Sequence, residues 1–179
     1  MPILFVAIAI PELVRDHLAL VQGGIPGARW EQRDKLHLTL RYIGDVDGGL
    51  AKRITDALPD VGGQAFTLQL AGVGHFPPRG RPRTVWVGVE DPEPLQALHE
   101  RIERRLARLD LEPEGRKYAP HVTIARLRDA PERRVAEFIA HHALLRPADF
   151  AVTRFGLYSS VRGPGGSKYR LEASYELDP

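Results

Sequence analysis

Two short segments of this chain repeat one residue pattern 84 positions apart, starting at residues 37 and 121. The copies are His37-Leu38-Thr39-Leu40 and His121-Val122-Thr123-Ile124, so each has a histidine and a threonine alternating with aliphatic residues. Because successive side chains of a β-strand point to opposite faces, each histidine shares a face with its threonine, and the aliphatic residues share the other. The repeat predicts two matching strands that bury their aliphatic faces and bring two histidines to face each other.

The composition is that of an ordinary globular chain, and it excludes several kinds of chemistry. The 179 residues are 43% hydrophobic and 27% charged, which fits one domain with a substantial core. The net charge is only +2, but the basic residues are mostly clustered arginines, which suit phosphate. Since the chain has no cysteine, disulfides and thiolate catalysis are excluded. The apolar run at residues 3–10 is too short to span a bilayer, so we expect a buried strand and a cytoplasmic protein with no membrane partner. We also expect a monomer.

Hydrophobic periodicity predicts an alternation of strands and helices that occurs twice. The predicted strands are 3–10, 35–43, 65–73, 83–89, 118–127, 149–158 and 169–177, and the predicted helices are 12–22, 50–58, 93–109 and 132–141. Turn-rich loops are expected at 75–82 and 162–167. The 84-residue offset also relates Phe66 to Phe150 and Gly72 to Gly156, which indicates internal duplication. We therefore expect a single α+β domain over residues 1–179, with two lobes (about 1–80 and 81–179) whose antiparallel sheets and flanking helices surround a central cleft.

Two histidines on either side of one phosphorus atom can catalyse phosphoryl transfer without a metal. The neutral ring takes a proton from water and the charged ring gives one to the leaving oxygen. Imidazole suits both roles because its ordinary pKa is about 6.5. A single His-x-Thr strand is most often structural, but packing alone does not require the pair twice. A metal site is a weaker interpretation, because the chain has no His-x-His, no carboxylate nearby at ligand spacing and no cysteine.

The ordered motifs resemble those of the 2H phosphoesterase superfamily, and most closely its bacterial and archaeal RNA 2′,3′-cyclic phosphodiesterases, also described as 2′-5′ RNA ligases. Besides the two His-x-Thr segments, the resemblance extends over nearly the whole chain. The further matching segments are Leu4-Phe5-Val6-Ala7-Ile8, Ile43-Gly44, Arg83-Thr84-Val85-Trp86-Val87-Gly88, Lys117-Tyr118-Ala119-Pro120, Leu157-Tyr158-Ser159-Ser160 and Tyr169. The resemblance implies a bilobal 2H fold and cofactor-free hydrolysis of an RNA 2′,3′-cyclic phosphate to a 2′-phosphomonoester, with weak 2′-5′ joining in reverse.

The resemblance also implies the roles of the site residues. His37 is expected to protonate the leaving O3′ and His121 to activate water, although the pair is better defined than this division of roles. Thr39 and Thr123 are expected to bind phosphate oxygens, and Arg126 to hold the phosphate. Arg126 lies an odd number of residues from His121, so a regular strand would point it away. Either a bulge or the strand end redirects it, or its role is structural.

Several other residues are weaker candidates for contact with RNA. Tyr118 is expected either to stack on a base or to pack in the core. Four basic residues in two loops are expected either to touch RNA phosphates or to be solvated: Arg79, Arg81, Arg162 and Lys168.

The expected partner is an RNA 3′ end or a nucleotide with a 2′,3′-cyclic phosphate. Alternative functions are hydrolysis of 2′-5′ linkages or of small cyclic nucleotides, and non-catalytic binding of RNA ends. The last alternative does not need an acid–base pair.

Overall fold

A computed structural model describes residues 2–179, which contain four α-helices and ten β-strands. The helices are α1 (Glu12–Val21), α2 (Gly48–Ala57), α3 (Glu93–Ala107) and α4 (Glu132–His141). The strands are β1 (Ile3–Ala9), β2 (Ala28–Trp30), β3 (His37–Asp45), β4 (Phe66–Leu68), β5 (Leu70–Phe76), β6 (Thr84–Val89), β7 (Val122–Leu127), β8 (Phe150–Val152), β9 (Arg154–Gly163) and β10 (Gly166–Glu176). The alternation of strands and helices predicted from the sequence is confirmed.

Eight of these strands form one antiparallel sheet. One group consists of β10, β9, β1 and β3, and the other of β7, β6, β5 and β2. The strand order is β10-β9-β1-β3-β7-β6-β5, and β2 also pairs with β7. β3 and β7, which carry the two His-x-Thr motifs, join the groups through one register pair, Leu38 with Val122. These two residues are 84 positions apart, so equivalent points of the two motifs lie side by side. The predicted α+β class with antiparallel sheets is confirmed.

The predictions of single strands over 65–73 and 149–158 are wrong, because each segment divides between two sheets. β4 and β8 form a small separate sheet in which Thr67 pairs with Ala151, again 84 positions apart. The chain then turns at Gln69 and Thr153 and enters the large sheet as β5 and β9. The Gln69 side chain stabilises its turn by donating from Nε2 to the carbonyl of Pro147 (2.6 Å). Hydrophobic alternation continues through the first turn, and so the pattern did not reveal it, whereas Arg154 interrupts the alternation at the second.

Four further segments differ from the sequence predictions. β2 was not predicted, since three residues are too few for a recognisable alternation. The strand predicted at 118–127 begins only at Val122, because Pro120 has no N–H to donate to a strand partner. β5 extends through Phe76 into the predicted loop at 75–82. The predicted loop at 162–167 is mostly β-hairpin, with a turn at Pro164 and Gly165.

The core lies between the helices and the aliphatic face of the large sheet. The aliphatic residues of both motifs, Leu38, Leu40, Val122 and Ile124, are fully buried. α3 contributes residues at three- and four-residue spacing, namely Leu95, Leu98, Ile102 and Leu106. The predicted direction of the aliphatic faces is confirmed, which leaves the histidine faces outside the core. No helix in residues 2–179 is both long and apolar enough to cross a membrane.

A buried arginine lies directly behind the first His-x-Thr segment. The side chain of Arg41 on β3 is only 6% exposed, and its Nε lies 2.8 Å from Oε1 of Glu103 on α3. The same guanidinium lies 3.7 Å from a carboxylate oxygen of Glu114 and donates to the backbone carbonyl of Glu112. Arg41 therefore connects β3 to α3 and to the segment that leads into β7.

We expect Arg41→Met to lower the free energy of unfolding by about 3 kcal/mol, because it leaves the buried Glu103 carboxylate without its partner. Urea denaturation followed by circular dichroism measures this loss. The matched control is Arg104→Met, which replaces an exposed arginine of α3, the helix that carries Glu103. It should change the free energy of unfolding by less than about 0.5 kcal/mol. A loss below about 1 kcal/mol for Arg41→Met would contradict the structural role assigned to the ion pair.

Candidate active site

The structure brings the two His-x-Thr motifs together around one cavity. The Leu38–Val122 pair places β3 beside β7, so the motif faces that avoid the core are adjacent. The cavity has a volume of about 190 Å³, and its lining includes His37, Thr39, His121, Thr123 and Arg126. The five principal residues singled out in the sequence therefore share one site.

Both imidazoles are oriented by the same backbone contact. Nδ1–H of His37 donates to the carbonyl of Lys35 (2.7 Å), and Nδ1–H of His121 donates to the carbonyl of Ala119 (2.6 Å). In a neutral ring held this way, the proton is on Nδ1 and Nε2 has the free lone pair. Nε2 of His37 accepts a hydrogen bond from the Thr39 hydroxyl (3.1 Å). Nε2 is therefore the atom through which each ring can exchange a proton, and at His37 the Thr39 hydroxyl must first release it.

Aromatic side chains hold each imidazole in place. The ring of His37 lies 5.1 Å from that of Phe5 and 5.3 Å, edge-on, from that of Tyr169. The ring of His121 lies 4.9 Å from that of Phe76 and 6.3 Å from that of Trp86. These aromatic residues lie on neighbouring strands of the same sheet, so the sheet packing restricts rotation of both rings.

Burial lowers the pKa of both histidines below the ordinary value of 6.5. Removing a ring from water disfavours its charged form. For His37, the positive charges of Arg126 and His121 lower the pKa further, while the Lys35 carbonyl and the Glu31 carboxylate oppose the shift. For His121, only the Ala119 carbonyl opposes it. Both rings are therefore mostly neutral at pH 7, and a negative charge between them would favour their protonation.

A β-bulge explains how Arg126 reaches the cavity. Along β7, Thr123 pairs with Trp86 and Ala125 pairs with Val85, which leaves Ile124 as the extra residue. The bulge reverses the alternation after Ile124, so Arg126 lies on the same face as His121. Of the alternatives left open by the sequence, the structure therefore selects the bulge.

The same bulge occurs in β3 and directs a different side chain to the cavity. Thr39 pairs with Ala7 and Arg41 pairs with Val6, so Leu40 is the extra residue. The residue that follows on the cavity face is Tyr42, whose side chain lines the site and is 51% exposed. The two strands thus present a tyrosine and an arginine at equivalent places.

At each bulge, a side chain from a helix or its end donates to the carbonyl of the extra residue, and the Ile124 carbonyl also accepts from the backbone N–H of Glu31 (2.9 Å). His99 of α3 donates from Nδ1 to the carbonyl of Leu40 (2.7 Å). Gln22, at the end of α1, donates from Nε2 to the carbonyl of Ile124 (3.1 Å). An unpaired buried carbonyl is costly, so these donors stabilise the bulges. The sequence does not indicate the contact of His99, because Leu40 lies 59 residues away along the chain.

The cavity also contains charged and polar groups that were not predicted. Lys35 places its ammonium 6.0 Å from the centre of the Tyr169 ring. Together with Arg126, it makes the cavity basic, which suits phosphate. The Glu31 carboxylate is the acidic group in the lining. Residue 115, which the 84-residue offset relates to Glu31, is a glycine, so only the first half supplies this carboxylate.

Both the hydroxyl and the ring of Tyr118 contact other residues of the protein. Its hydroxyl donates to the carbonyl of Thr39 (3.0 Å), and its ring stacks on His99 with 4.1 Å between ring centres. Burial raises its pKa above the ordinary value. The ring also lines the groove beside the cavity. These contacts favour packing over base stacking, which remains a prediction.

The basic loop residues predicted to contact RNA do not gather at the site. Arg81 lines the groove beside the cavity and pairs with Asp129. Arg79 is exposed and lines neither the cavity nor the groove. Arg162 and Lys168 are exposed in the β9–β10 hairpin and line neither the cavity nor the groove. RNA contact by these residues remains a prediction.

One group of side chains has atoms spaced for a metal ion, but it lies outside the cavity. Ligand atoms of His99, Glu103 and Glu114 all lie within 4.8 Å of one another. The Arg41 guanidinium lies against both carboxylates, so it supplies the positive charge. His99 also uses its Nδ1 to bond Leu40. These residues fit a charge network better than a metal centre.

Comparison with known proteins identifies the family. The model of the 2′-5′ RNA ligase superfamily matches residues 26–164. The chain belongs to this superfamily. It is 30% identical over 172 residues to the RNA 2′,3′-cyclic phosphodiesterase of Methanothermobacter thermautotrophicus (92% of this chain, 93% of the relative). It is 31% identical over 174 residues to the enzyme of the same name from Thermotoga maritima (93% of this chain, 91% of the relative).

A solved structure supports the same assignment. The Escherichia coli LigT structure complexed with 3′-AMP has a TM-score of 0.81 and 28% identity, with all of both chains covered. The resemblance to the 2H phosphoesterases inferred from the motifs is therefore confirmed, as is the predicted fold.

We expect His37 and His121 both to titrate below pH 6.5, because burial opposes charging of the two rings. We also expect the neutral rings to carry their proton on Nδ1, because that atom donates to a backbone carbonyl. Nitrogen-15 NMR of the histidine rings across a pH series measures both the pKa and the tautomer. His37→Asn and His121→Asn variants assign the two signals. A titration above pH 6.5 for either ring, or a neutral ring protonated on Nε2, would contradict the geometry.

Proposed function

We propose that this protein hydrolyses RNA 2′,3′-cyclic phosphates to 2′-phosphomonoesters by acid–base catalysis between His37 and His121. The observation that carries the proposal is the pair of imidazoles, each fixed through Nδ1 and each free to exchange a proton at Nε2 in one basic cavity. Hydrolysis of an RNA 2′,3′-cyclic phosphate is the activity named for the curated relatives. A module that only binds RNA ends does not need this arrangement.

The reaction requires one neutral and one charged histidine. Nε2 of His121 takes a proton from water as the water oxygen bonds to phosphorus. The bond between phosphorus and O3′ breaks, and Nε2–H of protonated His37 gives its proton to O3′. The phosphate remains on O2′, and the 3′-hydroxyl is released. The histidines end with exchanged protonation states, and solvent restores them.

Glu31 supports the assignment of the acid role to His37. Its carboxylate lines the same cavity and favours the charged form of this ring. The second half has a glycine at the related position, so His121 has no matching carboxylate. A ring that must carry a proton into the reaction benefits from such a neighbour.

The threonines and the cations stabilise the charge on the phosphate. The Thr39 hydroxyl bonds Nε2 of His37 and can turn to a non-bridging phosphate oxygen, and Thr123 has the equivalent place beside His121. Arg126 and Lys35 neutralise the negative charge that builds up in the transition state. Thr39, Thr123 and Arg126 lie on strands of the sheet, so little reorganisation of these three residues is needed.

The proposal extends to the organisation of the protein and its setting. The Leu38–Val122 and Thr67–Ala151 pairs each join residues 84 positions apart, which supports a single domain made of two duplicated halves. The expected substrate is an RNA 3′ end, and 2′-5′ joining is expected as a weak reverse reaction. A cytoplasmic location and a monomeric state complete the proposal.

We expect His37→Ala and His121→Ala each to lower kcat for a 2′,3′-cyclic mononucleotide by roughly 10²–10⁴-fold, since each removes a general acid or base. Phosphorus-31 NMR of the products should show a 2′-phosphate, and EDTA should leave the rate of the unaltered protein unchanged. His17→Ala, on α1, is the matched control and should retain full activity. A 3′-phosphate product or a requirement for added Zn²⁺ or Mn²⁺ would refute the mechanism.

We expect kcat/KM to follow a bell-shaped pH profile with its maximum below pH 6.5. The rate falls at low pH as the base becomes protonated, and it falls at high pH as the acid loses its proton through a lowered pKa. The optimum of kcat should lie at higher pH, because the bound phosphodiester favours charged rings. Initial rates between pH 4.5 and 8.5, at about ten pH values, measure both profiles. A single sigmoid without an acid limb would exclude the paired roles.

A further inference from the structure

A larger groove continues from the histidine cavity along the surface. Its volume is about 1,090 Å³, and it shares five lining residues with the cavity: Thr39, Tyr42, His121, Thr123 and Arg126. One wall is formed by the segment between β5 and β6, which includes Arg81 and Arg83. The other wall is formed by the segment before β7, which includes Arg116 and Lys117.

The volumes of the cavity and the groove determine which part of a substrate each can hold. Sites for whole small molecules usually have volumes of about 300–1,000 Å³. The cavity of about 190 Å³ can hold the phosphate and part of a ribose, but not a nucleotide with its neighbours. The remainder of an RNA must leave the cavity, and the groove opens from the same residues. A terminal ribose with a 2′,3′-cyclic phosphate has both of these hydroxyls blocked, so the chain continues only from its 5′ side.

The groove has the charge that an RNA backbone needs. Its lining includes five cationic side chains, which are Arg81, Arg83, Arg116, Lys117 and Arg126. The acidic residue in the lining is Glu114, whose carboxylate lies near the buried Arg41. Arg116 and Lys117 are exposed and make no ion pair within residues 2–179. Free cations that face a groove can bind phosphates and release counterions.

Tyr42 is placed where the cavity meets the groove. It lines both spaces, and half of its surface is exposed. Its strand position is the one that β7 fills with Arg126, so the two halves bring a ring and a cation to opposite sides of the same opening. An exposed ring beside a phosphate site can stack on any base, which gives binding without strict sequence preference.

We propose that this groove binds the nucleotides on the 5′ side of the cyclic phosphate, with Arg116 and Lys117 contacting their phosphates and Tyr42 stacking on the terminal base. The proposal rests on the cyclic phosphodiesterase activity proposed above. It makes the protein an enzyme that prefers an oligonucleotide to a mononucleotide.

The test compares a 2′,3′-cyclic mononucleotide with a tetranucleotide that ends in the same cyclic phosphate. The unaltered protein should have a lower KM for the tetranucleotide. Arg116→Ala/Lys117→Ala should raise this KM about tenfold and reduce its dependence on salt, because two phosphate contacts are lost. The kinetics of the mononucleotide should not change. Arg104→Ala/Arg108→Ala, which removes two exposed arginines of α3 and its C-terminal end, is the matched control and should behave as the unaltered protein.

Tyr42→Leu tests the position of the terminal base separately. It should raise KM for both substrates with little change in kcat, and Tyr42→Phe should restore the KM because the ring is retained. Equal KM values for Tyr42→Leu and the unaltered protein would overturn the role of the ring.

The remaining outcomes separate this proposal from the proposed function. If the unaltered protein cleaves neither substrate, the phosphodiesterase activity itself fails. If it cleaves both with equal KM, or if Arg116→Ala/Lys117→Ala affects both equally, the activity holds and the groove proposal is overturned. If the double variant impairs only the joining of a strand with a 5′-hydroxyl, the groove binds that second strand instead, and the proposal is again overturned.

Discussion

The contact between Leu38 and Val122 is the constraint on which the site depends. It is the register pair that joins β3 to β7, and both side chains are fully buried. Each lies between the histidine and the threonine of its motif, so packing at this point sets the lateral position of all four polar residues. A shift of one residue in either strand would turn the histidine of that strand into the core, since the alternation of a strand has a period of two. The free energy of core burial therefore fixes the catalytic geometry.

The bulges at Leu40 and Ile124 add what regular strands cannot provide. A regular strand would bury Tyr42 and Arg126, or would expose the apolar residues before them. The extra residue reverses the alternation, and His99 and Gln22 donate to the carbonyls of Leu40 and Ile124. Helices packed behind the sheet thus help determine which side chains face the phosphate. Arg41 belongs to the same arrangement, because it ties the bulged part of β3 to α3.

Two similar halves can perform an asymmetric reaction because their surroundings differ. Both imidazoles are held by a carbonyl two residues earlier, and aromatic rings pack against both. Glu31 and Lys35 lie on the His37 side of the cavity lining, while the large groove opens beside His121. The repeated strands supply equivalent proton-transfer groups. Unrepeated residues and the shape of the surface distinguish the acid from the base and direct the substrate.

The two His-x-Thr strands, the α+β class, the buried aliphatic faces and the family were all predictable from the sequence. This was possible because strand alternation and helix periodicity are local properties that a linear pattern records. The sequence also showed that a regular strand would point Arg126 away from His121, because the number of residues between them can be counted. Three features became visible in the folded protein alone: a bulge redirects this arginine, 65–73 and 149–158 each divide between two sheets, and His99 supports β3. These features depend on hydrogen bonds between residues distant in the chain, such as His99 with Leu40 and Gln69 with Pro147. No local pattern records such partners, because they become neighbours only when the sheet and helices pack together.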